Sequence, residues 1–365
     1  MMEIRKFEGI LSQNFVGREE EARIITLALA TRQHAVFIGP PGTAKSALIL
    51  KAAKMLNVPY FYILLNKFTT IDELLGYIDP IKFKQNIFER NKEKKLPSAK
   101  IAFIDEIFKG SSEVLNAILN ILNERLFVDI DGTVHNVELH SLFAASNETP
   151  GEDLSALYDR FMLRHFVKPI DSTRIREAIE YMVTKNGTEG TFDINIFNQF
   201  YDEVTEFMLK NINAISKSVS QIVIVLRQNG VSISDRTAIS KNHYPRLVAT
   251  YAKLYNIDIR KAVIDTSKYL ISYPEDMDGY KRALDALIPP ELREASNKLD
   301  KALDQALAGN LKEAKRETAE ATQLLQSALE RKDVDLDEVR ILLERAETLN
   351  RKIKEIEKNL AELKR

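Results

Sequence analysis

A chain of 365 residues can bury a full core and is too long for one compact α/β unit, so more than one domain is expected. Its 52 basic and 53 acidic side chains leave a formal charge of −1, which speaks against a nucleic-acid footprint unless a basic patch is gathered on one face, and the absence of cysteine excludes disulfides, thiolate catalysis and zinc–thiolate sites. No apolar run approaches the roughly 18 residues that span a bilayer, the longest candidate lying near Ile222 to Leu226, and no apolar stretch or small-residue cleavage site follows Glu3, Arg5 and Lys6, so the expectation is a cytoplasmic protein in a reducing interior, with no membrane span and no secretory signal.

Phe15-Val16-Gly17-Arg18 opens a segment, residues 15 to 33, in which Ala22, Ile25, Leu27 and Leu29 recur near helical spacing. This puts a helix just ahead of the first strand, where Val16 either closes over a bound base or simply packs into the core. An apolar run from Val36 then enters Gly39-Pro40-Pro41-Gly42-Thr43-Ala44, followed by Lys45-Ser46 and a helical pattern from Ala47 to Met55. Strand, glycine-rich turn and helix in that order make a phosphate loop. Its backbone N–H groups and the helix N-terminus would face a triphosphate, Lys45 would reach the β- and γ-phosphates, and the Ser46 hydroxyl would hold Mg²⁺. The general pattern has glycine where Ala44 stands, and because alanine favours ordinary dihedrals, Ala44 is expected near helical geometry.

Val58 to Leu65 reads as a buried parallel strand, and Thr69-Thr70-Ile71-Asp72-Glu73-Leu74-Leu75-Gly76 as a capped short helix ending at its glycine. From Asp79 to Lys100 the pattern turns irregular. Ile81, Phe83, Ile87 and Phe88 flank Gln85-Asn86 like a small hairpin, and the charged run Asn91 to Lys95 is expected to be a solvated loop. Lys100 to Ile104 is again a strand, and it ends in Asp105 and Glu106. At the carboxyl end of a strand beside a phosphate loop, Asp105 can hold Mg²⁺ while Glu106 polarises an attacking water. Glu113 to Glu124 is an amphipathic helix. Leu126 to Ile130 and Thr133 to Val137 straddle Asp131-Gly132, the strongest short-range hairpin signal. Leu139 to Ala145 is another buried strand, delivering Ser146-Asn147 to its end, where the Asn147 amide either orients the water or merely forms a turn.

Beyond Asp171 strand character fades. Asp171-Ser172 caps a helix through Tyr181, Asn186-Gly187 breaks it, and helical stretches follow over residues 197–226, 235–255 and 259–270. The nucleotide is expected in the cleft between this helical domain and the sheet domain. Pro289-Pro290 begins a different region. Leu292, Ala295, Leu299, Ala302 and Ala306 precede Gly309-Asn310, a second helix runs from Leu311 to Arg331, Asp333-Val334-Asp335 separates a third, and Ala346, Leu349, Ile353, Ile356, Leu360 and Leu363 form a coiled-coil-like seam. Such helices bury their stripes in a self-packed hairpin or three-helix bundle, or against a partner. The expected division is therefore 1–170, 171–288 and 289–365: an α/β, P-loop parallel-sheet core, an all-helical lid, and a helical or coiled-coil tail.

The ordered succession of these motifs resembles the MoxR branch of the AAA+ ATPases, and within it the RavA-like group. The resemblance rests on Gly39 to Ser46, Phe103 to Lys109, Leu115 to Leu126 with Asn123-Glu124-Arg125, Ala144 to Glu148, Leu157-Tyr158-Asp159-Arg160-Phe161 and Val231 to Arg236, over roughly residues 10 to 270. Alanine before the phosphate-loop lysine is frequent in that family. The resemblance implies a ring-forming, usually hexameric, homo-oligomeric ATPase that uses ATP and Mg²⁺ to remodel or assemble a protein client. Such enzymes often load metal or work with a partner bearing a metal-dependent adhesion domain. It further implies Asn147 as a first sensor, Arg160 as an arginine finger acting in the neighbouring subunit, with Arg164 as its competitor, and Arg236 as a second sensor on the lid. The segment around Ile81 to Phe88 and the Asp131-Gly132 hairpin would face the ring's central opening. Two other readings stay in view: a ring motor on nucleic acid, which the neutral charge disfavours, and an ATP-binding scaffold with little turnover, which Glu106 and Asn147 disfavour.

Overall fold

Five parallel strands form the centre of the fold, in the order β2-β3-β6-β1-β7: β1 (Ala35–Ile38), β2 (Tyr60–Leu64), β3 (Ile101–Asp105), β6 (Ser141–Ser146) and β7 (Leu163–Phe166). The computed structural model describes residues 1–129, 131–184, 189–287, 289–329 and 336–363. Every residue of β1 and β6 is buried, the continuous apolar run of a strand covered on both faces, whereas edge strand β2 is only partly buried. Val36 pairs with Ala144 on one side and Arg164 on the other, and Ile104 pairs with Ala144. Because all five strands run the same way, the residues that follow β1, β3 and β6 emerge on one edge of the sheet, where open α/β folds bind ligands.

α1 (Met2–Gln13) and α2 (Glu19–Thr31) precede the sheet, and α3 (Lys45–Leu56) leaves the phosphate loop. The short α4 (Ile71–Leu75) has the expected capping box, Thr70 with Glu73, and ends at Gly76. A Cβ at Gly76 would lie 2.0 Å from the Asn91 carbonyl oxygen, so the tight return of the next segment requires glycine. That segment departs from the expected hairpin. α5 (Pro80–Phe83) is a helical turn because Asp79 caps it, accepting from the N–H groups of Ile81 and Lys82, with Pro80 pre-set at its first position. The chain still reverses there, through left-handed Asn86.

α6 (Ser112–Glu124) follows β3 and runs back toward the opposite edge of the sheet. β4 (Leu126–Val128) and β5 (Val134–Asn136) form the expected antiparallel hairpin around Asp131-Gly132; Ile130 lies outside the described residues. α7 (Ser155–Tyr158) leads into β7, and α8 (Ile175–Thr184) follows a turn capped by Asp171. The Asn186-Gly187 break lies outside the described residues. The expected long helices are subdivided. α9 (Asn195–Lys210) and α10 (Ile212–Gln228) meet at Asn211, and α11 (Asp235–Ile239) is separated from α12 (Tyr244–Tyr255), where Pro245 can stand only in the first turn. α13 (Ile259–Ser267) and α14 (Asp276–Leu287) follow. α12 is the hub of the helical part, with nine buried residues.

Residues 1–280 form one compact unit and residues 281–365 another. In the second, α15 (Pro290–Leu307), α16 (Leu311–Leu329) and α17 (Leu336–Leu363) pack on one another through Leu292, Leu299, Ala314, Ala321, Leu325 and Ile353, with Gly309 making the first turn at φ +81°. The stripes seen in the sequence are thus buried within this unit as far as Ile353, while Ile356 is exposed. Asp333 to Asp335 lie outside the described residues, as do the side chains of Leu360 and Leu363.

Candidate active site

Gly39 begins the phosphate loop clamped between two strands: its N–H donates to the Ser146 carbonyl, and a Cβ there would sit 2.4 Å from the Val167 carbonyl oxygen. Gly42 turns through φ +77°. Ala44, expected near helical geometry, is instead left-handed, with φ 64° and ψ 16°. For a residue with a Cβ this costs about 1–2 kcal/mol. The cause is the shape of the loop, since a backbone passing twice through the left-handed region within three residues gathers successive N–H groups on its inner side. The Ala44 carbonyl already accepts from Leu48, which leaves the first N–H groups of α3 free to face an anion.

The Lys45 ammonium donates to the carbonyls of Gly39 and Pro40, both at 2.9 Å, and to the Thr43 hydroxyl. Burial lowers its pKa, and the nearby carboxylates of Asp105 and Glu106 oppose that shift. Phosphate loop and paired acids therefore share one electrostatic neighbourhood on the carboxyl edge of the sheet. Ser46 stands in the first turn of α3, and Asp105 ends β3. Glu106 is left-handed at φ 51°; its Oε1 accepts from Asn147 Nδ2 at 2.5 Å and its Oε2 lies 3.1 Å from Lys109 Nζ. The Asn147 amide thus engages the acid itself. Val16 is half-buried in the turn beside Gly17 and Arg18. Arg18 is buried, donates to Glu21 and to the Lys168 carbonyl just beyond β7, and its charge further depresses Lys45.

A second cluster occupies the other edge. Arg125, the C-cap of α6, donates to the carbonyls of Arg32 and His140, which precede β1 and β6. Beside it is a cavity of about 420 Å³ lined by Arg32, Arg125, Arg160, Arg236, His34 and His243, among others. At about 3.3 Å per residue, strands of this length hold the two edges roughly 13–20 Å apart. Arg236 donates to Asn123 and lies 3.8 Å from Asp159, which is also 3.8 Å from Arg160. Burial lowers the Arg160 guanidinium, and Arg236 adds to the shift; burial with Arg32 brings Arg125 down to about 10, and burial with Arg236 brings His243 down to about 4. Cations crowded against so little negative charge make a cavity suited to an anion. Arg164, the competitor of Arg160, is buried in β7, donating to Ser272 and stacking over Tyr158 at 4.9 Å. Arg236, the expected second sensor, is carried by α11 to the amino edge, beside Arg160 and away from Lys45.

A family model described as the MoxR domain in the MoxR-vWA-beta-propeller ternary systems matches residues 2–199, more than half of the chain. The chain belongs to the MoxR family of AAA+ ATPases. Two uncharacterized proteins of Methanocaldococcus jannaschii are 37% identical to it over 235 and 238 residues, 64% and 65% of this chain, which spans 62% of the length of each. A structural protein of Acidianus two-tailed virus is 31% identical over 167 residues, covering 44% of this chain and 27% of that one. A solved structure of an inferred ATPase from Cytophaga hutchinsonii superposes with a TM-score of 0.59 at 18% identity, covering 75% of this chain and 89% of that one, a likeness of fold.

In this MoxR chain a buried arginine that the sequence reading passed over ties two loops together. Arg90 donates through Nε to both oxygens of Asp129, at 2.9 and 3.0 Å, and through Nη1 to the Gly76 carbonyl and to Asp72. The segment after α4 and the β4–β5 hairpin are thereby fixed to each other, while Tyr77, Ile81 and Phe83 stay exposed. Arg90 stands beside a charged run, so no local signal marks it. Arg32 and His243 were missed for the same reason, and Arg18 and Arg125, present above only as members of motifs, likewise take part of their meaning from partners far away in the chain. Among the described residues no cluster of His, Asp and Glu could hold a metal alone, and no helix is long and apolar enough to cross a membrane.

Proposed function

We propose that this chain hydrolyses Mg-ATP at contacts between copies of itself in a homo-oligomeric ring and uses the cycle to remodel or assemble a protein client. The observation that carries the reading is the separation of two half-sites. Lys45, Asp105, Glu106 and Asn147 share the carboxyl edge, and Arg160 and Arg236 share a cationic cavity on the other. A nucleotide held at the first edge meets those arginines only when a second copy supplies them.

The residues fit the ligands. The turn from Gly39 to Ala44 leaves no room for a Cβ at Gly39 and open space at Gly42, so the backbone can approach phosphate. Ser46 and Asp105 offer the oxygen donors that Mg²⁺ favours, with phosphates and water completing its shell. Bound there, Mg²⁺ would neutralise charge on the β- and γ-phosphates. Lys45 binds the phosphates, Glu106 takes a proton from the attacking water, and Asn147 orients Glu106. Val16 and Arg18 border the nucleotide, and residues 171–288 act as the lid. The description of the matching family model, with its ternary systems of MoxR, vWA and β-propeller, supports a vWA-domain partner and a β-propeller beside it. That agrees with the adhesion-domain partner implied by the motifs, and the RavA-like placement rests on the motifs alone. A hexamer is the ring size the resemblance favours.

Mixing two inactive proteins tests the split site. Glu106→Gln and Arg160→Ala should each be inert while still binding ATP, and their mixture should regain turnover at interfaces that pair an intact Glu106 with an intact Arg160. A mixture that co-assembles, binds ATP and stays inert overturns the reading.

A further inference from the structure

Among the described residues, two apolar surfaces in the sheet unit lack cover. One is α8, none of whose residues is buried: Ile175, Ile179, Met182 and Val183 recur on one face and are 45, 59, 79 and 81% exposed. The other is a groove of about 390 Å³ along α10, lined by Met208, Ile212, Val219, Val223 and, across it, Ile239 of α11. Ile212, Ile224 and Ile239 on its walls are more than half exposed. Paired apolar surfaces of this kind on a water-facing fold mark a contact.

Their places in the fold say which contact. α8 follows β7 on the carboxyl edge, and Arg174, just ahead of it, pairs with Glu19 at the start of α2, one residue from the Arg18 that acts on Lys45. The groove borders the amino-edge cavity. Arg236, Ser240, Asn242 and His243 line the cavity, while Ala238, Ile239, Lys241 and Pro245 line the groove, so one short stretch of chain is the wall between them. A helix on one edge cannot fill a groove that opens at the other edge of the same chain. The next copy can. We propose that α8 of one copy docks by its Ile175–Ile179–Met182 stripe into the α10–α11 groove of its neighbour, a head-to-tail contact that repeats around a ring. The stripe spans about 11 Å and the groove, from Ile212 to Ile224, about 18 Å at 1.5 Å per residue, so the helix has room to seat. This inference rests on the ring reading above and specifies it. The docking that brings Arg160 and Arg236 to a neighbour's nucleotide also brings that neighbour's α8 to the groove beside them.

The absence of cysteine makes the test direct. Full-length Met182→Cys protein is mixed with Ile212→Cys, Ile224→Cys or Ile239→Cys protein in Mg-ATP and oxidised, with assembly followed by native mass spectrometry. Mixed disulfides formed with at least one groove variant, with each protein alone staying largely uncross-linked, are the expected result. Met182→Cys that cross-links to itself as readily overturns the head-to-tail contact. Assembled rings without mixed disulfides overturn the docking and leave the ring reading standing, whereas no assembly under any nucleotide condition removes both. In a second arm, Ile179→Asp with Met182→Asp should weaken self-association about tenfold or more. The thermal midpoint of the dilute chain should stay unchanged, since both side chains are exposed. Unweakened assembly overturns the proposal.

Discussion

The two edges of the central sheet are built in contrasting ways. The carboxyl edge draws its groups from short contiguous stretches, Gly39 to Ser46, Asp105-Glu106 and Asn147, each carried to its place by the strand before it. The amino edge collects Arg32, Arg125, Arg160, Arg236 and His243 from segments scattered over more than two hundred residues, none adjacent to another in the chain. One edge is a motif and the other an assembly of tertiary contacts. On the proposed reading the first edge holds a nucleotide by itself, whereas the second, with its cations crowded together, acts only when an anion arrives.

The sharpest way to break this contrast is to compare losses at the two edges. Arg160→Ala should cut turnover by about 10³–10⁵-fold with ATP affinity nearly unchanged. Lys45→Ala should abolish binding itself, and binding titrations beside steady-state rates separate the two. Equal loss of ATP affinity in both would place Arg160 at its own chain's nucleotide.

Next in size is the tether between the two exposed loops. Arg90→Ala removes the guanidinium that faces the buried Asp129 carboxylate and should cost about 3–5 kcal/mol of stability in chemical denaturation, leaving the nucleotide edge intact. A loss under about 1 kcal/mol would show the pair to be expendable.

The crowded edge also predicts an acid weakness. Burial, with neighbouring cations, holds His243 down to about 4 and His140 to about 3, and holds His34 well below its usual range. The folded chain thus refuses protons that the unfolded chain takes up below about pH 6.5, so stability falls as pH drops from there toward 4. The slope approaches about 1.4 kcal/mol per histidine for each pH unit. Thermal midpoints that stay level from pH 7 to 5 would contradict the packing assigned to these rings. The smallest effect belongs to the loop. Ala44→Gly relieves a left-handed alanine and should stabilise the chain by about 1 kcal/mol or leave it level once the added freedom of glycine is offset. A clear loss would show that the alanine methyl packs productively.

What the sequence made legible follows the same line. The strands as they succeed one another along the chain, the phosphate loop, the paired acids, the Asp131-Gly132 hairpin and the stripes of the last three helices follow from local patterns whose physics is local: apolar runs, glycine turns, caps and helical spacing. The insert after α4 was misjudged because Ile81 and Phe83 suggest alternation, while the Asp79-Pro80 cap decides for a helical turn. Ala44 was misjudged because intrinsic preference pointed one way and the loop's closure the other. The position of Arg236 could not be read at all, since nothing in residues 231–236 says which edge of a distant sheet their helix will meet.

The central claim, that the hydrolytic site is complete only between copies, is tested most directly by measuring turnover per chain at saturating Mg-ATP over a wide range of protein concentration, with the assembly state followed in parallel. The account predicts activity per chain that rises steeply as copies associate and vanishes in the monomer. Undiminished activity per chain under conditions where only monomer exists would contradict it.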